Sequence, residues 1–409
     1  MGGGVVGVTT AYFLAREGHQ VTLLEARESV ARETSFSNGG QLSYSYVAPL
    51  ADPSVLPHLP AWLVQKDSAL RFVPRLDLQQ WLWCLSFLLA CRASVSRQTA
   101  IDLLRLGALS RAAVHDLIAK ESITFDYERN GKLVLYRDQH EFAQARRTMA
   151  YLSASGASQK ALDPDACIAL EPSLEHARPL LAGGIHTPSE EVGDCFLFTE
   201  ALARVSQERY GVTIHCNTSV KSWVREGVQV VAARSSGGDV TADAFIVTAG
   251  LGSRPLLSTL GISLPLYPLT GYSLTMTAKP EQAPHVSVTD LHRKVVYAPL
   301  GERIRIAGMV EISGADESHS KARLACLIRH AQEIFPQAGD YACAETWCGH
   351  RPATPDSKPI IGATPYRNLW LNTGHGALGF TLACGSAQLI AQAVQGQPPS
   401  LDLHPYRLR

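Results

Sequence analysis

"MGGGVVGVTTAYFLAREGHQVTLLEAR", residues 1–27, is the stretch that decides the fold. Gly2, Gly4 and Gly7 satisfy G-x-G-x-x-G, the spacing of a nucleotide-binding turn between a strand and a helix. The first glycine permits the tight turn, the second lets backbone approach a pyrophosphate, and the third lets the helix pack closely on the sheet. Val8 to Glu17 has helical spacing, with Ala11, Leu14 and Ala15 on one face and Gly18 as its stop. Val21 to Leu24 then reads as a short strand ending at Glu25. An acid about 20 residues beyond the loop is where a ribose hydroxyl needs an acceptor. The pyrophosphate is expected on the helix N-terminus, at Val5 and Val6, where free N–H groups and the helix dipole favour an anion. Only Met1 precedes Gly2. Because strands usually run about 5–6 residues, either the chain as given starts late or the first strand has been lost; if it is absent, the sheet is expected to lack its central strand, at a cost in stability and cofactor affinity.

A chain of 409 residues suggests at least two domains, and 46% hydrophobic with 18% charged residues is an ordinary globular composition. Lys+Arg and Asp+Glu both number 37, which gives no basic surplus for a nucleic acid. The 9 cysteines are scattered without C-x-x-C, a pattern of reduced thiols in a cytoplasmic setting rather than of disulfides or a metal site. No signal peptide or spanning helix is read. Trp81 to Cys91 is almost wholly apolar yet too short to span. It reads as a buried core helix, with a patch resting on the inner face of the plasma membrane as the alternative.

Along the chain, residues 29–50 are loop-like, helical patterns run from about 58 to 122, and "GKLVLYR" (131–137) is a strand. Glu141 to Ala154 and Leu197 to Tyr210 read as helices. Alternating runs between 261 and 312 predict an antiparallel sheet. After the strand "NLWLNTG", Gly379 to Val394 forms a closing helix.

Taken in order, the glycine turn with Glu25, "ETSFSNGGQLS", "ADAFIVTAG", "YPLTGYSLT", "RIRIAGMVEI", "GHRPATPDSKPIIG" and "NLWLNTGHGALGFTLACGSAQLIA" resemble the D-amino-acid oxidase-like superfamily of FAD enzymes. Within it the chain looks most like the bacterial D-amino acid dehydrogenases. The resemblance implies an α/β fold with an α+β second domain: a Rossmann-like FAD-binding domain (1–50, 160–260 and 345–409) interleaved with an antiparallel-sheet substrate domain (51–159 and 261–344). It implies that Glu25, with Ala26 and Arg27, holds the adenosine ribose, and that Val220, Ala249 and Gly250 lie at the adenine side. Ser35, Asn38, Gly39, Gly40, Gln41 and Leu42 would run along the pyrophosphate and flavin. Gly374, His375, Gly376, Leu378, Gly379 and Thr381 would close over the pyrimidine end.

The implied substrate is a D-amino acid, oxidised by hydride transfer from Cα to flavin N5 and hydrolysed to a 2-oxo acid and ammonia. A quinone-type acceptor would take the electrons. A carboxylate calls for an arginine. By resemblance Arg351 leads, with Arg305 second and Arg303 expected on the opposite face of the same strand. Tyr272 is a candidate hydrogen-bond donor to the carboxylate, with Tyr44 or Tyr46 closing the pocket. His375 is read as a cofactor contact. The alternatives within the superfamily are a cyclic-imino-acid dehydrogenase and an O2-using glycine or sarcosine oxidase. The glycine turn by itself also admits an NAD enzyme.

Overall fold

The computed structural model describes residues 1–45, 47, 49–59, 68–153, 159–314 and 320–409. Helix α1 (Val5–Arg16) starts directly on the glycine turn and is buried along most of its length. Strand β1 (Thr22–Leu24) pairs in parallel with β8 (Thr213–His215). In a second small sheet, β12 (Phe245–Val247) lies parallel to β19 (Leu369–Thr373), which pairs antiparallel with β18 (Ile360–Ala363). Met1 and Gly2 occupy the gap between the two sheets. The Gly2 N–H donates to Leu24 O at 2.8 Å, the Thr248 N–H donates to Met1 O at 2.9 Å, and the Met1 ammonium donates to Ile246 O at 3.0 Å. Where a missing central strand was expected, two residues therefore carry main-chain bonds to both sides.

Helices α3 (Ala93–Glu121), α6 (Cys195–Tyr210) and α9 (Gly379–Val394) pack with α1. Val8, Tyr12, Phe13, Phe198, Leu202 and Phe380 are the heart of this core, where the Phe198 ring meets Phe125 and Phe380 at centroid distances of 5.0 and 5.3 Å. A meander of β9 (Val220–Glu226), β10 (Gln229–Ser235) and β11 (Gly238–Val240) stands beside β19. Asn368, just before β19, exchanges both amide bonds with Val230 of β10 (3.0 and 2.8 Å). Helix α7 (Ser253–Ser258) follows β12.

The second layer is a nine-stranded sheet in the order β17 (Glu345–Ala353), β13 (Tyr267–Thr277), β16 (Arg303–Ile312), β15 (Val295–Leu300), β14 (Ser287–Asp290), β4 (Lys132–Tyr136), β6 (Gly183–Thr187), β5 (Lys160–Leu162). Strand β3 (Leu70–Phe72) adds to β16. Alternate residues of the sheet face two environments, as a period of two requires. Leu274, Ile304 and Ile306 join Leu327 and Ala331 of α8 (Lys321–Ile334) in one core. Gly271, Ala307 and Trp347 instead border a cavity beneath the N-terminal loop. Helices α4 (Gln139–Ser153) and α5 (Pro164–Leu170) flank the β4–β6 end. A short ribbon of β2 (Gln41–Leu42) and β7 (Glu191–Val192) ties the N-terminal loop down.

Three segments lie across the expected domain boundaries. Helix α3 packs on α9 in the nucleotide half, while β5–β6 and β17 belong to the nine-stranded sheet. Helix α2 (Leu78–Ala90) buries Gln80, Trp83, Phe87 and Ala90 only. Trp83 and Phe87 pack with Tyr267 and Leu269, and the opposite face is open to solvent. The core-helix reading of this stretch thus accounts for one face of it. The segment Gly376–Val394 is long and apolar enough to cross a membrane by length and composition, but Phe380, Leu382, Ala383 and Leu389 are each at most 3% exposed and it serves as a core helix.

Candidate active site

The glycine turn has no room for side chains at Gly2 and Gly7. A Cβ on Gly7 would lie 1.7 Å from Gly2 O, and one on Gly2, whose φ is +98°, would lie 2.7 Å from the Ala249 Cα. A Cβ on Gly3 would press on the Glu25 carboxylate at 2.9 Å, a side-chain contact looser than those at Gly2 and Gly7. Glu25 is buried and accepts the Gly3 N–H and, at 2.8 Å, the Arg27 N–H. A carboxylate has about four acceptor positions, so two protein donors leave capacity for ribose hydroxyls. The main chain before Val220 is drawn to the same place, because the Thr218 N–H donates to Glu25 O and the Asn217 N–H to Arg27 O, both at 2.8 Å. At the helix end, Ser35 Oγ accepts the Val5 N–H at 3.0 Å. Gly2, Gly4, Val5, Val6, Gly7, Glu25, Ser35 and Ala249 thus surround one helix N-terminus, a cradle suited to a diphosphate. The Arg27 side chain turns outward, to an ion pair with Glu33 at 2.5 Å.

A second cavity wall begins where the N-terminal loop crosses the nine-stranded sheet. Asn38, Gly39 and Gln41 line a cavity of about 260 Å³ together with Gly376, Leu378 and Thr381 from the turn entering α9. That turn depends on its glycines. Gly374 and Gly376 have φ of +79° and +54°, and a Cβ on Gly374 would sit 2.9 Å from Thr354. Gly40 has φ +71° and accepts the Gly193 N–H at 2.9 Å, while its own N–H donates to Asn38 Oδ1 at 3.0 Å. Leu42 is wholly buried in the helical core. His375 is not in the cavity. Its Nε2 lies 3.0 Å from Ser386 Oγ, and burial pulls its pKa down to about 3, so the ring is neutral and serves to anchor the turn to α9.

At the far end stands Arg351. Trp347, Gly349 and Arg351 alternate along β17 onto the cavity face, and Gly271 of β13, paired with Gly349, leaves space for the guanidinium. Strand β16 carries a bulge here: Met309 and Val310 stand opposite the single residue Gly271. Met309 adopts φ +62°, unusual for a residue with a side chain, and its carbonyl accepts from Arg351 Nη1 at 3.3 Å. Among the described residues no carboxylate pairs with Arg351, and burial lowers its pKa. A half-buried guanidinium held by one carbonyl has N–H donors left to offer a carboxylate.

Other expected substrate contacts are placed elsewhere. Tyr272 touches the cavity, but its ring lies in the core on the sheet's other side, and its hydroxyl donates to Glu311 Oε2 at 2.5 Å. Tyr44 is 3% exposed within the helical core beneath α3. Tyr46 lies outside the described residues. Arg305 is taken by structure: its Nη2 pairs with Asp194 at 3.3 Å, Nε donates to Thr275 and Nη1 donates to Asn38 O at 3.1 Å. Arg303 also reaches Asp194, at 2.9 Å. Two residues apart on one strand, the arginines share a face, contrary to the expectation that Arg303 turns away. Residues that the sequence reading missed include Trp347, Gly349, Gly271 and Met309. The alternation of Trp347, Gly349 and Arg351 was a usable signal, whereas the bulge had none.

A family model described as FAD dependent oxidoreductase (DAO) matches residues 1–393. The chain belongs to that family. This FAD-dependent oxidoreductase is 49% identical over 408 residues to D-amino acid dehydrogenase 2 of Pseudomonas aeruginosa, covering 98% of this chain and 95% of that one. It is 44% identical to D-amino acid dehydrogenase 2 of Ralstonia nicotianae, over 100% and 98% of the two chains. Its fold matches that of glycine oxidase from Geobacillus kaustophilus, with a TM-score of 0.78 at 22% identity over 100% of this chain and 96% of that one. The cradle at α1 and the cavity at α9 fit FAD, one for the diphosphate and one for the ring system.

Proposed function

We propose that this oxidoreductase oxidises D-amino acids, releasing 2-oxo acids and ammonia, and passes the electrons to a quinone-type acceptor at a membrane surface. The observation that carries the substrate class is Arg351, a guanidinium at the cavity end with a single carbonyl for company. Support for the D-enantiomer comes from the relatives' names at 49% and 44% identity. FAD, when bound, supplies the hydride acceptor.

The protein's part is binding and orientation. Arg351 takes the substrate carboxylate, and Met309 O and the gap at Gly271 fix the plane of its fork. Trp347, Met309 and Val310 wall that end and exclude water, which strengthens each polar contact inside. Among the described residues bordering the cavity there is no Asp, Glu or His. The set therefore offers no carboxylate or imidazole to remove the Cα proton, which favours direct hydride departure from a substrate whose amine is neutral. Such a reaction needs reacting atoms held about 3–3.5 Å apart, and the fixed guanidinium provides the reference point.

The test is anaerobic bleaching of the flavin band by D- and L-amino acids in the unsubstituted protein and in Arg351→Ala. The expected outcome is bleaching by D-amino acids, with KM raised about 100-fold in the variant and FAD retained, as losing a charge-assisted contact of about 3 kcal/mol implies. Bleaching by L-amino acids alone, or an unchanged KM, defeats the reading. Admitting air then separates acceptors: slow reoxidation without peroxide fits a quinone, and a fast burst of peroxide fits an oxidase.

A further inference from the structure

We propose that the Trp347 indole selects substrates by their side chain: its benzo ring is the surface on which the side chain lies, and it closes the cavity to bulky ones at the sheet edge. The proposal rests on the functional reading above and adds a second determinant to Arg351, which grips the carboxylate common to every amino acid. Gly349 of β17 and Gly271 of β13 are a register pair, and paired residues of an antiparallel ladder have Cα atoms about 4.5–5.5 Å apart. Together they make a bare patch of cavity floor. Two side chains lie over it. A Cβ on Gly271 would lie 2.4 Å from Arg351 Nη2, and one on Gly349 would lie 1.9 Å from Trp347 Cη2 and 2.5 Å from its Cζ2. The guanidinium therefore covers one glycine, and the benzo edge of the indole covers the other.

A carboxylate on Arg351 brings Cα beside that benzo edge, and chemistry sorts the other substituents. The hydrogen faces the part of the cavity at α9 that fits the flavin ring system. The amine needs a hydrogen-bond acceptor, and the bulge of β16 turns the Met309 carbonyl to this end of the cavity, where Arg351 also meets it. The side chain is left with Trp347, whose Cη2, Cζ2 and Cζ3 are the atoms over Gly349. These carbons offer an apolar surface and no hydrogen bond.

Trp347 also marks where the cavity stops. Strand β17 is the edge strand of the nine-stranded sheet, so no strand of that sheet stands beyond the indole. A side chain that outgrows the space over Gly349 meets the ring first. Apolar pockets separate substrates by about 10–200-fold for one methylene, so exchanging a whole indole for a methyl group is a large change in what fits.

The experiment uses the holoenzyme and its Trp347→Ala and Trp347→Phe variants, reading kcat/KM for D-alanine and for D-phenylalanine. The deciding quantity is the ratio of the two, because a general loss of water exclusion or of stability lowers both alike. In Trp347→Ala the ratio should move at least tenfold toward D-phenylalanine. Trp347→Phe keeps a ring at the same strand position and should move it less. The proposal is overturned if Trp347→Ala holds FAD and its ratio stays within threefold of the unsubstituted enzyme's, which would leave the indole a water-excluding wall only. It is overturned too if the ratio moves toward D-alanine, or if Trp347→Phe shifts it as far as Trp347→Ala, which would mark a disturbed strand rather than a lost ring. Trp347→Leu carries the same measurements should the alanine variant not fold. An unsubstituted holoenzyme whose flavin no D-amino acid bleaches defeats the functional reading instead, before any ratio is taken.

Discussion

A methyl group on Gly271 would lie 2.4 Å from Arg351 Nη2 and 2.6 Å from its Cζ, closer than any unstrained contact. The next residue, Tyr272, points through the sheet to Glu311. These neighbours give opposite expectations. Gly271→Ala should push the guanidinium off its position and raise KM for a D-amino acid at least tenfold with little change in FAD content. Tyr272→Phe should leave KM within threefold while lowering stability by about 1–3 kcal/mol, the cost of removing one partner from a buried carboxylate. Steady-state kinetics with denaturant melts on both variants checks the pair; a large KM change in Tyr272→Phe would restore the tyrosine to the substrate site. From sequence, Arg351 could be reached because the resemblance fixed its segment, and Glu25 because spacing did. Tyr272 and Arg305 could not be judged, since their fates depend on Glu311 and on Asp194, the latter 111 positions from Arg305. One-dimensional reading cannot see which face of a bulged strand a side chain finally meets.

Elements were more legible than contacts. The helices at α1, α3, α6 and α9 follow from apolar spacing and glycine stops, and the strand at β4 from its apolar run. The sharing of one core by α3, α1 and α9 did not follow, because helix packing across such sequence distances leaves no local periodicity. Helix α9 shows what an element does for the site. It presents its first turn to the cavity, and His375, bonded to Ser386 one helical face further on, ties the preceding turn to it. The folded pKa of about 3 lies below the ordinary value of 6.5. The unfolded chain therefore takes up a proton below pH 6.5 that the folded chain refuses. The stability from this histidine is fully present above pH 6.5 and is lost as pH falls from there toward 3. Relative to His375→Gln, the unsubstituted protein should lose about 1.4 kcal/mol for each pH unit below 6.5. Denaturant melts of both proteins at pH 7, 6 and 5 check this; parallel loss of stability in the two proteins would mean that the ring titrates freely.

For the whole molecule, the asymmetry of α2 matters most. Trp81, Leu82, Leu85 and Leu89 are 50, 51, 57 and 48% exposed, and Leu76, Leu78 and Leu88 extend the same surface. Ile101 of α3 is 39% exposed nearby in sequence. Contiguous apolar surface on this scale marks a contact with something apolar. Arg75 and Arg92, exposed at the two ends of α2, flank it in sequence, with Asp77 the one acid in the α2 segment. Apolar insertion and attraction to anionic headgroups, about 1 kcal/mol for each basic residue near the surface, then act together. Under the proposed function, the occupant of this face would be a bilayer that holds the quinone-type acceptor. The expected outcome is that the protein co-sediments with vesicles containing phosphatidylserine and less with neutral vesicles, and that high salt weakens the association. Leu82→Gln, Leu85→Gln and Leu89→Gln combined should leave the protein in the supernatant. These exposed positions each affect stability by no more than about 0.5 kcal/mol, so flavin bleaching by a D-amino acid should keep its rate while reduction of a membrane-dissolved quinone falls. If the unsubstituted protein ignores anionic vesicles, or the triple variant still reduces that quinone at full rate, the exposed face of α2 serves some other contact.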